Sequence, residues 1–221
     1  MNIVFTLWQN DLTALKLWIR YYCRHFDKLL VLCFNTKDQY IPKLDKLKEE
    51  FDLSYEIVKE YKEDKIDGTP SVLINLIRDR QQSLLREYTW VLFTNIDEIL
   101  IPVSSKMTLR QLMDKSPLDK LVWVCEGFEV IQTKKEQPID YDKPYFAQRT
   151  YWIKNPNYNK ILLSKIPLSW NTGLHQVEGV NEDESRQFKN TGLYLIHLKH
   201  ADLNRKGDFG PYPKDVHLDP N

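Results

Sequence analysis

Cysteine is scarce in this chain. Its three thiols, Cys23, Cys33 and Cys125, are odd in number and widely spaced, and no Cys-x-x-Cys pair occurs in 221 residues. That spacing signals neither a disulfide framework nor a thiolate zinc site, and it suits reduced thiols in a cytoplasmic setting. An excess of charge is missing too. The 31 Lys+Arg balance the 31 Asp+Glu, whereas a nucleic-acid partner calls for a basic surplus. No apolar stretch approaches membrane-spanning length. The start, Met-Asn-Ile-Val-Phe-Thr-Leu-Trp, has no basic lead and is too short for a secretory signal. Internal repeats and low-complexity segments are lacking. What remains is ordinary globular material, 42% hydrophobic and 28% charged, enough for one substantial core or a core with a small appendage.

Apolar spacing orders the first half. Ile3 to Trp8 reads as a strand. Leu12, Leu15, Trp18, Ile19, Tyr22 and Phe26 then recur at helical spacing, with Asn10 or Asp11 as the cap. Lys28 to Phe34 is a second strand, and Pro42 opens a second helix carrying Leu44, Leu47 and Phe51. Leu53 to Val58 is a third strand. Gly68-Thr69-Pro70 begins a third helix with Val72, Leu73, Leu76 and Ile77 inward, and Trp90 to Phe93 is a fourth strand. Strands alternating with helices predict a parallel sheet covered by helices.

After the capping-box pattern Thr108-x-x-Gln111 the character changes. Short strand-like runs at 121–125, 129–133, 145–150, 160–164 and 194–198 are separated by Asn, Asp, Pro and Gly clusters. This half is expected to be mixed or antiparallel and rich in loops. Residues 206–221 read as a tail or as a linker to a further domain.

Polar clusters fall at the ends of the predicted strands. They are Gln9-Asn10-Asp11, Asn35-Thr36-Lys37-Asp38 and Asn95-Ile96-Asp97-Glu98. In a parallel sheet these ends share one edge, where ligands of open α/β sheets bind. Asp97 and Glu98 interrupt the apolar stretch that runs from Trp90 to Pro102. Carboxylates at such a place suit a hard divalent cation, and the cation suits a phosphate. Later come His175, in a polar loop after Gly173, and His197, inside the run Tyr194 to Leu198. Imidazole serves as ligand or base. Lys160, Lys165, Arg149 and Lys154 offer charge for a diphosphate, and the many aromatics of this half offer faces for a sugar or a base.

The order of these pieces resembles a GT-A-fold glycosyltransferase close to the family-2 type, over roughly residues 1 to 205. Asn10-Asp11 and Trp18 match its opening strand and helix, and Asn35 to Asp38 its Asp-rich turn. Asn95-Ile96-Asp97-Glu98 matches its Asp-x-Asp-Glu, with Asn in place of the first acid. Lys160 to Lys165, Gly173-Leu174-His175 and His197-Leu198 match its later lysine-bearing strand and histidine segments.

The resemblance implies a Rossmann-like α/β domain with a nucleotide-binding half, 1–103, and an acceptor and metal half, 104–205. It implies transfer of a sugar from a nucleotide diphosphate sugar to an acceptor hydroxyl on a saccharide, with Mn²⁺ or Mg²⁺. Asn10, Asp11, Asn35, Asp38, Asn95 and Lys160 are expected to bind the nucleotide. Asp97 and His197 are expected to hold the metal. Asp97, His175 and Glu178 form the catalytic set, with Glu129 as a third candidate base beside His175 and Glu178. Asn95 adds no negative charge, so the metal site is expected to be weaker than the family pattern. Two other functions fit the same scaffold. A binding module that has lost turnover accords with Asn95. A nucleotidyltransferase needs a glycine-rich basic loop after the first strand, and Gln9-Asn10-Asp11 is not one.

Overall fold

Seven elements alternate through the first half of the computed structural model. They are β1 (Asn2–Trp8), α1 (Leu12–Tyr22), β2 (Lys28–Phe34), α2 (Ile41–Glu50), β3 (Leu53–Val58), α3 (Ser71–Leu84) and β4 (Trp90–Phe93). The structure describes residues 1–58, 71–133, 135–140, 143, 145–171, 174, 177–178 and 192–202. The cap expected for α3 at Gly68-Thr69-Pro70 lies outside them. Of the two residues expected to cap α1, Asp11 does so, and its Oδ1 accepts from the Ala14 N–H at 2.9 Å. The helix buries Leu15, Trp18, Ile19 and Tyr22, the face read from their spacing. β1 pairs in parallel with β2 and β4, and β2 in parallel with β3. These strands are apolar because helices cover them on the sheet faces.

The second half adds β5 (Glu98–Pro102), α4 (Leu109–Asp114), β6 (Val122–Val130), β7 (Trp152–Lys154), β8 (Lys160–Ser164) and β9 (Leu193–His197). All described strands belong to one sheet in the order β3-β2-β1-β4-β8-β6-β9-β5, with β7 beside β6. Residues 1–103 and 104–205 therefore share a sheet. β8 runs antiparallel to β4 and to β6, β9 runs parallel to β6, and β5 runs antiparallel to β9. The fold is a Rossmann-like mixed α/β fold, as expected. The predicted box at α4 is formed, with Thr108 and Gln111 each accepting from the other's backbone N–H. No helix of the described residues is long and apolar enough to cross a membrane.

Two local expectations are corrected, and two strands are added. The run at 121–125 and the start of the run at 129–133 belong to one strand, β6, which ends at Val130, because Gly127 continues the extended chain rather than breaking it. Residues 145–150 hold a 3-10 turn at Tyr145–Ala147, whose buried Tyr145 belongs to the apolar cluster of Ile99, Val130, Ile139 and Ile196 without joining the sheet as a strand. The apolar stretch after Glu98 is a strand in its own right, β5, and the short β7 had no clear pattern in the sequence.

Helix α1 fastens the β4–β5 connection. Trp18 Nε1 donates to Thr94 Oγ1 at 2.8 Å. Tyr21 donates to the Leu100 carbonyl at 2.6 Å. The Tyr22 hydroxyl donates to the Glu98 carbonyl at 3.2 Å and accepts from the Leu100 N–H at 3.0 Å. Tyr22 is wholly buried, so Tyr22→Phe leaves a buried N–H without its partner. We expect a loss of about 1–3 kcal/mol, read as a lower urea midpoint at unchanged m-value.

Candidate functional site

Strand direction gathers the polar residues. The carboxyl ends of β1, β2, β4, β6 and β9 and the amino ends of β5 and β8 lie on one edge, given the pairings above. At β1 and β2 the two turns are tied together. Asn10 Nδ2 donates to the Asn35 carbonyl at 3.3 Å, and Asn10 Oδ1 accepts from the Lys37 N–H at 3.1 Å. Asn10 and Asn35 both hold positive φ, 55° and 44°, a conformation Asn tolerates better than most side chains. Asp11 is spent partly on its cap, and Asp38 is exposed in a 3-10 turn. After β4, Asn95 to Glu98 folds back on itself. The Asn95 N–H donates to Glu98 Oε2 at 3.1 Å, and the Glu98 N–H to the Asn95 carbonyl at 3.0 Å.

Register builds the rest. Glu98 on β5 is the cross-strand partner of His197 on β9, and His197 is the partner of Glu129 on β6. Residues opposite one another project from the same face, so the three form a row. Asp97, one residue earlier, is anchored by the Leu198 N–H, which donates to its carbonyl at 2.8 Å. His197 Nε2 lies 3.6 Å from Asp97 Oδ2, and Nδ1 lies 3.3 Å from Glu129 Oε1. His200 Nε2 reaches the same Glu129 oxygen at 3.4 Å, and Asn155 Nδ2 donates to the other at 3.3 Å. Lys160 Nζ donates to Glu98 Oε1 at 2.6 Å. The Tyr158 ring stacks on the His197 ring with centroids 4.2 Å apart.

The charges are set by this pairing. Burial pulls the His197 pKa down, but hydrogen bonds to Asp97 and Glu129 outweigh it and push the value up to about 9. Burial pushes Glu98 up, and the charges of Lys160 and His197 hold it below its ordinary range. Burial raises Glu129, and the bond and charge of His197 bring it lower. Asp97 and Glu98 are nearly sealed from solvent. At neutral pH Glu98 and Glu129 are carboxylates and His197 is an imidazolium.

The expected residues part company here. Asp97, His197, Lys160 and the candidate base Glu129 meet in this cluster, with Asn95 in its turn. Lys160 is buried against Glu98, so its charge is already engaged. Glu178 is mostly exposed and stands 3.5 Å from Arg78. His175 lies outside the described residues. Sequence reasoning gave no role to His200 or Asn155, and to Tyr158 only a general place among the aromatics that offer faces for a sugar or a base. His200 carried one signal, its place three residues after His197. Asn155 carried none, and Tyr158 none that pointed to this cluster, because only the fold over Gly127 brings their turn to the row. There the Asn155 N–H donates to the Gly127 carbonyl at 2.9 Å, and a side chain at 127 would come within 2.4 Å of Tyr158 Cβ.

Among the described residues, no group of three or more His, Cys, Asp and Glu side chains is arranged to hold a metal ion. Asp97 and His197 are two donors. Two donors suit a hard cation that keeps its waters and arrives with phosphate oxygens, rather than one caged by protein. His197 would have to lose its proton to ligate.

No protein-family model matches the chain, and no curated protein matches it at a significant level. Among solved structures, Staphylococcus aureus TarS (residues 1–349) is similar at 12% identity and a TM-score of 0.35, covering 63% of this chain and 38% of that one. The same fragment in complex with UDP is similar at 13% identity and a TM-score of 0.35. HddC from Yersinia pseudotuberculosis is similar at 10% identity and a TM-score of 0.36, covering 95% of this chain and 87% of that one. The chain thus spans well under half of the TarS fragment. Likenesses this shallow assign no activity.

Two outcomes follow from the paired charges. Lys160→Met strands a buried Glu98 carboxylate, and we expect it to cost about 3–5 kcal/mol. Adding Glu98→Gln should recover much of that loss in urea titrations. The second outcome concerns pH. The depressed Glu98 and Glu129 stabilise the fold above their unfolded pKa, and that contribution is lost as pH falls through their folded values. The raised His197 stabilises fully below its ordinary value of 6.5, and that contribution is lost as pH rises through about 9. Urea stability should therefore fall by about 2–4 kcal/mol between these two pH values, with a shallower fall in Glu129→Gln.

Proposed function

We propose that the chain is a glycosyltransferase that moves a sugar from a nucleotide diphosphate sugar to an acceptor hydroxyl. The observation that carries this reading is the meeting of Asp97, His197 and Glu129 on the sheet edge that also bears the Asn10 and Asn35 turns. The turns after β1 and β2 are the nucleotide side, with Asn10, Asp11, Asn35 and Asp38 offering amide and carboxylate groups to base and ribose, and Asn95 a hydrogen bond to ribose. Asp97 and His197 would hold a divalent cation, Mn²⁺ or Mg²⁺, which when bound neutralises charge on the departing diphosphate.

In the transfer, the acceptor oxygen bonds to the anomeric carbon, the bond from that carbon to the diphosphate oxygen breaks, and the hydroxyl proton passes to a base. Glu129 is ionised, half-buried and fixed by His197, His200 and Asn155, so it is the carboxylate the cluster offers for that proton. Glu178 and His175 remain the alternatives from the sequence that follows β8. The row also holds donor and acceptor in one orientation, which lowers the entropic part of the barrier.

A second reading has its own support. Every charge in the row is already matched by another, and Asn95 withholds the first acid, as in a module that binds a nucleotide or glycan without turnover. Donor hydrolysis with Mn²⁺ over a panel of nucleotide sugars separates the two. We expect sugar release by the wild type. Asp97→Ala should keep the circular dichroism of the wild type and lose at least about 100-fold in rate. Full transfer by that variant would overturn the proposal.

A further inference from the structure

We infer that the opposite edge of the sheet, at the amino ends of the parallel strands, docks on an anionic phospholipid surface. The pairings place it. Asn2 faces Trp90, and Ser164 faces both Val91 and Val122. The Lys165 N–H donates to the Leu121 carbonyl at 2.8 Å, and the Val103 N–H to the Gly192 carbonyl at 3.0 Å. Residues 103, 121 and 165–166 therefore share this edge, across the sheet from Asp97.

Large apolar side chains stand out from it. Leu118 is 95% exposed, Leu121 45%, Val103 39% and Ile166 37%. Met1 is at the same edge, its carbonyl accepting from the Thr89 N–H. Of the exposed large hydrophobics among the described residues, only Ile57 lies elsewhere. Leu118 is the tip, on the turn between α4 and β6 that the Lys120 N–H closes by donating to the Pro117 carbonyl.

Lysines separate these tips. Lys165 Nζ lies 4.6 Å from the centroid of the Trp90 ring and donates to the Pro117 carbonyl at 3.3 Å. Lys120 Nζ lies 4.6 Å from the centroid of the half-buried Trp123 ring. Lys106 and Lys115 are exposed on either side of α4, and the exposed Asp114 and Asp119 offset two of the four. This composition decides between occupants. Protein interfaces are depleted of lysine at their centre and want a continuous apolar face. Single apolar tips among lysines suit a headgroup layer, where the tips and the lysine stems sit in the boundary and ammonium groups meet anionic lipid. Docked this way, the Asp97 edge faces solvent and a soluble donor.

The test is sedimentation of the whole chain with vesicles of phosphatidylcholine mixed with phosphatidylglycerol, and with phosphatidylcholine alone. The expected result is several-fold greater binding to the mixed vesicles, reduced by added salt. Leu118→Asp should lower that binding about tenfold at unchanged Tm, since Leu118 is almost fully exposed. Lys120→Glu should lower it as well. Equal binding to both vesicles, or undiminished binding by Leu118→Asp, overturns the inference. So does a dimer seen by light scattering that Leu118→Asp abolishes, because the edge would then belong to a second copy. Sugar transfer is not read out, so the outcome is independent of the proposed activity.

Discussion

Charge compensation at one sheet edge is the constraint on which this structure turns. Asp97, Glu98 and Lys160 are almost wholly buried, with His197 close behind, and an unmatched buried charge costs several kcal/mol. Each is therefore met by another. Lys160 on β8 reaches Glu98 on β5, although β6 and β9 lie between them in the sheet. His197 sits on the intervening strand and divides its two ring nitrogens between Asp97 and Glu129. The second half of the chain is thus organised by a polar row as much as by its apolar core.

Rigidity around the row has the same origin. Helix α1 supports the acidic turn from below through Trp18, Tyr21 and Tyr22. The turn ending at Tyr158 covers it from the β6 side, and it can come so close only because residue 127 has no side chain. Held from both directions, Asp97 and His197 do not need a ligand to set their positions, which is the preorganisation that binding and catalysis both exploit. A ligand entering here exchanges one set of partners for another rather than meeting bare charges.

Much of the first half was legible. Short apolar runs and helical spacing alternate cleanly from Ile3 to Phe93, and a parallel sheet follows from their alternation. Once the strands are parallel, the turns holding Asn10, Asn35 and Asn95 must share an edge, and they do. The later half resisted because its strands are short and its connections long. Gly127 looked like a break and is a strand interior. The stretch at Tyr145 looked like a strand and is a turn, since burial of an aromatic residue does not require a ladder partner.

By itself, the sequence determined the α/β order, a cap for α1 at Asn10 or Asp11, the capping box at Thr108 and the acidic corner after β4, because each rests on residues within a few positions of one another. Only the tertiary structure decided that His197 faces Asp97 and Glu129, that Lys160 answers Glu98, that Glu178 turns to Arg78, and that Leu118 joins Met1, Val103, Leu121 and Ile166 at the opposite edge. Those relations depend on strand register and crossing order, which join residues tens of positions apart. Local pattern carries no record of which of several equivalent pairings minimises unmatched buried charge.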